Sequence, residues 1–267
     1  MNKQKGFTLI ELLVVISIIV LLAAMLLPVL SRIREMANKS VCSSNIRQHA
    51  LALTAYADEN NGNLPRLYGG GWLWDMDRRL VNELLKNIGL EGKGATSSNQ
   101  PDIPAPDVFY CPSNKTHKFS RQECWDYHHP SGEMATYRVL GYFFILDTRN
   151  GRGQIQPPED NKRWLTTLNL KHPADAELVT DVTMSDKVTF TESMGYPNGN
   201  FARIEVGSAM GLYTGHYDTS SHLKSDKEPT GGNIGFADCH VAWRDFKEGN
   251  TLIMKERYGS SSPVFWW

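Results

Sequence analysis

Residues 5–11 read Lys5-Gly6-Phe7-Thr8-Leu9-Ile10-Glu11, and an apolar stretch runs on from them to about residue 30. A short basic leader ends in glycine. A phenylalanine follows, and a lone carboxylate, Glu11, sits four residues beyond it in an otherwise uncharged run. A secretory signal ends its apolar region at a small-residue cleavage site. Here the small residue comes first, so a cut after it leaves the apolar helix on the mature chain. Residues 7–30 make a helix long enough, at ~1.5 Å per residue, to cross a hydrocarbon layer of ~30 Å. A carboxylate within such a helix costs about 2.5–3.5 kcal/mol on insertion scales and usually has a partner. Pro28, near the far end, removes a backbone donor and favours a kink.

The helical pattern resumes after Pro28. Ile33, Met36 and Ala37 recur at helical spacing, and so do Ile46, Ala50, Leu53 and Ala57, with polar residues between them. Asn60-Asn61-Gly62 is a stop signal. One helix of roughly 54 residues, ~80 Å long, is expected. The chain then divides into a leader (1–6), a transmembrane helix (7–30), an amphipathic continuation (31–61) and a globular head (62–267). Its 267 residues suffice for one membrane helix and one globular domain, and a net charge of −1 offers no basic footprint for nucleic acid. Lys3 and Lys5 place the leader on the cytoplasmic side, although Arg32 and Arg34 work against that asymmetry.

In the head, residues 62–135 are rich in turn formers and poor in periodicity, apart from a helix expected at 78–87. Residues 92–106 read as an exposed loop. Residues 136–146 (TYRVLGYFFIL) read as a strand, 178–181 as a short buried strand, and 233–237 and 240–246 as two strands joined by Asp238-Cys239. The fold class is therefore α+β: a long N-terminal helix, membrane-spanning and then amphipathic, packed on an antiparallel sheet.

The four cysteines, Cys42, Cys111, Cys124 and Cys239, allow three pairings. A zinc site needs tighter spacing than these positions offer. His216, Asp218, Asp238 and His240 have His-x-Asp and Asp-x-His spacings that can hold a divalent metal, with His222 nearby, but a polar loop packed on a hairpin has the same composition. Loop carboxylates such as Asp226, Glu228 and Asp238 can hold structural calcium, but no spacing here specifies such a site. No phosphate loop, nucleophile elbow or EF-hand pattern is present, and no catalytic residue is assigned. Trp72, Trp74, Trp125, Trp164 and Trp243 read mainly as core. The terminal Trp266-Trp267 is expected at the surface, because chain ends usually are, and then needs an apolar partner.

The segment Gly6-Phe7-Thr8-Leu9-Ile10-Glu11-Leu12-Leu13-Val14-Val15 resembles the signal of type IV prepilins and type II secretion pseudopilins. The resemblance implies cleavage between Gly6 and Phe7 by a prepilin peptidase and methylation of Phe7. It also implies that Glu11 pairs with the terminal amine of a neighbouring subunit, and Pro28 stands where such proteins carry a kinking proline. The implied protein is a pilin-like subunit in the inner membrane, N-terminus cytoplasmic and head periplasmic or extracellular. An assembly platform would draw it from lipid into a pseudopilus or pilus-like filament with other pilin subunits. Its role would be structural rather than enzymatic.

A second resemblance rests on Val41-Cys42-Ser43-Ser44-Asn45-Ile46-Arg47-Gln48, Phe109-Tyr110-Cys111-Pro112-Ser113, Pro173-Ala174-Asp175-Ala176-Glu177-Leu178 and 231–238. These strings are similar to prepilin-type proteins of planctomycete-like and Lentisphaera-like bacteria, and that pattern implies a Cys42–Cys111 disulfide. Their C-terminal signature, His, nine residues, then Asp-Gly, is degenerate here. Glu228 stands ten residues before Asp238, and Cys239 replaces the glycine. A cysteine in the turn conformation of that glycine costs about 1 kcal/mol. Two rival readings keep the anchor but change the head: a membrane-tethered module binding glycan or protein, or an anchored metal-dependent hydrolase using the His/Asp cluster.

Overall fold

The computed structural model describes residues 8–67, 73–90, 104–126, 137–147, 164–186, 200–205, 217–225, 228–248, 251–252, 254, 256–258 and 264–267. The chain forms two units, residues 1–38 and 39–267. Helix α1 (Leu9–Glu59) begins in the first and ends in the second. Helices α2 (Arg78–Asn87) and α3 (Lys115–Trp125) belong to the second.

The first unit is apolar and bare. The large apolar side chains from Leu9 to Leu30 are exposed. Among the described residues α1 is the one helix long and apolar enough to cross a membrane, with a window of mean hydropathy 3.1 that is 0% buried. It runs on through Pro28, which has no N–H to give the Ala24 carbonyl.

In the second unit α1 becomes a core element. Cys42, Asn45, Ile46, His49, Ala50, Ala52, Leu53 and Ala57 are buried, mostly at the three- and four-residue spacing of one helical face. The stripe expected from residue 33 starts later, since Ile33, Met36 and Ala37 are exposed. Lys39 makes two contacts with the head. Asn233 Nδ2 donates to the Lys39 carbonyl at 3.3 Å, and Lys39 Nζ lies 3.6 Å from the Trp243 ring centroid. Periodicity reports that a face is apolar, not what covers it. The helix stops at the expected Asn-Asn-Gly. Asn61 and Gly62 take φ of 56° and 80°, and Gly62 N–H donates to the Ala57 carbonyl at 2.7 Å.

The largest sheet among the described residues has four antiparallel strands, in the order Val241–Asp245, Gly231–Phe236, Glu177–Asp181, Tyr142–Phe144. Gly235 faces Val241 on one side and Val179 on the other, and Val179 also faces Phe144. The sheet and α1 share one core, in which Ile46, Ala50 and Leu53 join Leu178, Val179, Tyr142 and Phe144. The strand expected over 136–146 is two strands, Tyr137–Val139 and Tyr142–Phe144. Between them Gly141 N–H turns to the Phe109 carbonyl at 2.8 Å. The former strand pairs with Asp75–Asp77, and Asp77 caps α2 by accepting from Arg79 and Leu80 N–H.

Two elements depart from the expectation. Helix α3 forms where no periodicity was visible, started by Asn114, whose side chain accepts from His117 N–H at 3.0 Å. The terminal aromatics are buried: Phe265, Trp266 and Trp267 are at most 1% exposed. They fill a second core with Phe143, Phe201 and Phe246, and Trp266 Nε1 donates to Ser185 Oγ at 3.1 Å. The strand Val264–Trp266 is paired on both sides, with Glu256–Tyr258 and with Met184–Ser185, so the tryptophans are covered by the head itself. Trp74 and Trp125 are also core, and Trp72 lies outside the described residues.

Helix and sheet approach most closely at Gly235, where a Cβ would stand 2.5 Å from Ile46 Cγ2. A β-branched side chain on a helix has little rotamer freedom with which to yield. Gly235→Val should therefore lower unfolding stability by about 1–3 kcal/mol, read as a shifted urea midpoint. His49 supplies a pH dependence. It is wholly buried, stacks on Phe109 at 4.8 Å, and donates from Nε2–H to the Val108 carbonyl at 2.8 Å. Burial lowers its pKa from 6.5 to about 4. The unfolded chain then binds the extra proton between those values, so stability is full above about pH 6.5 and falls toward pH 4. The loss approaches about 3 kcal/mol. Urea titrations across that range should show this slope, and His49→Phe should flatten it.

Candidate processing and assembly site

The described chain begins at the base of α1. Thr8 precedes the first helical residue. Glu11 Oε2 accepts from Thr8 N–H and from the Thr8 hydroxyl, each at 2.8 Å, while Thr8 Oγ1 accepts from Glu11 N–H at 3.3 Å. This is a reciprocal cap, Thr-x-x-Glu, which satisfies two of the donors that a helix start leaves open. The spacing Thr8-Leu9-Ile10-Glu11 is the sequence signature of this cap, a signal beyond the lone charge of Glu11. Gly6 and Phe7 lie outside the described residues. Pro28 sits inside α1, with its carbonyl accepting from Ser31 Oγ at 2.9 Å.

A second constellation lies inside the head. Cys42, on the first buried turn of α1, is joined by a disulfide to Cys111, with Cα atoms 5.3 Å apart. His222 Nε2 stands 3.4 Å from Cys111 Sγ and 3.2 Å from Asp181 Oδ2. Asn233 donates to that oxygen from its backbone N–H and its Nδ2, both at 2.8 Å. Cys42, Cys111, Asp181 and His222 are all at most 1% exposed. His222 takes φ of 52°, a left-handed conformation costing a non-glycine residue of order 1–3 kcal/mol. Thr230 holds it there by donating from N–H and Oγ1 to the His222 carbonyl, both at 2.8 Å. No local spacing announces this cluster. Its members come from a helix, a loop, a strand and a bend.

The histidine and carboxylate residues singled out in the sequence are distributed differently. Asp218 is buried, 3.2 Å from His117 Nε2 and 3.5 Å from Asn114 Nδ2. Asp238 and His240 pair with each other at 2.6 Å at the exposed hairpin tip, and the His240 hydrogen bonds lower the Asp238 pKa. His216 and Asp226 lie outside the described residues. Glu228 is bound to Lys247 at 3.0 Å. Among the described residues, the group of donors close enough to share a metal is Cys42, Cys111, Asp181 and His222. Cys239 takes a left-handed turn conformation, with φ of 68°, and its Sγ lies 3.2 Å from Thr54 Oγ1 on α1. Cys124 and Cys239 are not disulfide-bonded.

The N-terminal part of the chain is similar to type IV pilins. The model of the prokaryotic N-terminal methylation motif matches residues 1–27. The type IV wide pilus major component PilA4 of Thermus thermophilus is 44% identical over 61 residues, which is 23% of this chain and 47% of that protein. The chain thus aligns with about half the length of this relative. No solved structure matches it. The long apolar helix with antiparallel sheet behind it gives an α+β pilin-like architecture.

The Cys42–Cys111 link closes a loop of 69 residues across the helix–head junction. By chain entropy a loop of that size is worth about 4 kcal/mol to the folded state. Reduction in the presence of a metal chelator should lower the stability of the purified chain by about that amount, seen as a lower urea midpoint. The reduced Cys42→Ser, Cys111→Ser double variant should not respond to reductant.

Proposed function

We propose that the protein is a structural subunit of a type IV pilus-like filament or type II secretion pseudopilus, made as a prepilin. A prepilin peptidase cuts between Gly6 and Phe7, and Phe7 receives a methyl group. The single observation that carries this reading is the methylation motif over residues 1–27, set on an apolar helix with a bare surface. Before assembly that surface requires lipid, since water-exposed apolar side chains over this length would aggregate. In a filament, neighbouring helices replace the lipid. The reciprocal cap supports a defined role for Glu11. Thr8 engages Oε2 and fixes the direction of the carboxylate, so its other oxygen is presented to the amine of an adjoining subunit without a search through rotamers. The head would face the periplasm or exterior, where disulfides persist. An inner-membrane assembly platform and other pilin subunits are the partners this reading requires.

Intact mass and N-terminal analysis, with and without a co-expressed prepilin peptidase, test the first step. Loss of residues 1–6 plus one methyl group is expected, and Gly6→Leu should block both. A leader that persists beside an active peptidase would overturn the reading. Glu11→Gln should be cut normally yet enter filaments poorly beside the wild-type chain. Equal incorporation would remove Glu11 from assembly.

A further inference from the structure

The interior cluster of the head has a donor set that a structural disulfide does not require. A disulfide is neutral and asks for apolar surroundings. Cys42 and Cys111 instead have a carboxylate and an imidazole against them in a site closed to solvent. Asp181 Oδ2 is held by two donors from Asn233, while Oδ1 is buried without a hydrogen-bond partner. A buried carboxylate oxygen left unsatisfied calls for a cation or a donor.

We infer that, when Cys42 and Cys111 are thiolates, their two sulfurs, His222 Nε2 and a carboxylate oxygen of Asp181 form a closed four-ligand site for a zinc-class divalent cation. The four donor atoms lie within 4.8 Å of one another. Zinc bonds of about 2.3 Å to sulfur and 2.0–2.1 Å to nitrogen or oxygen place tetrahedral ligands roughly 3.3–3.8 Å apart. The 3.4 Å from His222 to Cys111 and the 3.2 Å from His222 to Asp181 are close to two of those edges. Two thiolates and an imidazole favour zinc over calcium or magnesium, which take oxygen ligands. Asn233 is the outer-shell partner that orients the ligating carboxylate. Binding converts two thiols to thiolates and releases two protons. The disulfide has no thiolate to offer, so the two states exclude each other. Oxidation of the two bound thiolates by a disulfide of an exchange partner would pass two electrons to that partner, whose two sulfurs take their protons from solvent, and expel the ion. The site does not depend on how the N-terminus is processed or whether the chain polymerises.

The test uses the full chain in detergent, reduced with a phosphine, stripped with chelator and dialysed against zinc. About one zinc per chain is expected. Cobalt in its place should give the near-ultraviolet sulfur-to-metal charge-transfer bands and visible absorption of a tetrahedral thiolate site. Oxidation with glutathione disulfide should discharge the metal as the Cys42–Cys111 bond forms. His222→Gln and Asp181→Asn, near-isosteric changes, should each weaken zinc binding by more than about 100-fold, the upper cost of losing an outer-shell partner. Cys239→Ser should bind as the wild type does. A reduced chain with intact helical circular dichroism that takes up no stoichiometric zinc would overturn the inference. So would cobalt spectra lacking thiolate bands, or binding that survives oxidation.

Discussion

The head is organised by the close approach of α1 to the Gly231–Phe236 strand. Ile46 packs where Gly235 has no side chain, and a Cβ there would stand only 2.5 Å from it. The alanines at 50, 52 and 57 keep the same helix slim as it sinks into the core. Close packing of this kind is demanding, since protein interiors have little spare volume. With that contact in place, the neighbouring strands fall into register around Val179, and the polar anchors can close. Asn45 reaches the Tyr142 hydroxyl at 3.1 Å, His49 the Val108 carbonyl, and Asn87 the Ala52 carbonyl at 3.1 Å.

The two ends of α1 solve opposite problems. The N-terminal part, bare and apolar, bonds its backbone along the helix except at the Ala24 carbonyl opposite Pro28, and a helix in lipid needs such internal pairing. Thr8 and Glu11 extend that self-sufficiency to its first turn. The later part trades exposure for burial and admits polar residues, Asn45 and His49, each with a partner in the head. The two compact units divide between Asn38 and Lys39, close to where the buried stripe begins.

Much of this was legible in the sequence, for local reasons. The apolar run, the Asn-Asn-Gly stop, α2 over residues 78–87 and the strands around 178–181 and 233–246 are written in composition and short-range spacing. What was not legible is long-range, with one local exception. Helix α3 carries no apolar stripe and is set by a single capping residue, Asn114. The burial of Trp266 and Trp267 depends on pairing with Met184–Ser185, some eighty positions earlier. The Cys42, Cys111, Asp181 and His222 cluster is assembled by the sheet and the helix together, so no window of sequence contains it. Cys239 lies between these cases. Its turn was readable from Asp238, but its contact with Thr54 was not.

The position of the disulfide has a mechanical meaning. Cys42 is the first buried residue of α1, ahead of Ile46, Ala50, Leu53 and Ala57. Tension pulling on the helix from its N-terminal side reaches a covalent bond before it reaches the main packed face. Peeling, which would break apolar contacts one turn at a time under small force, is blocked at its starting point. The bond turns a zipper into a rivet: while it is intact, the helix stays fastened to the segment that carries Cys111.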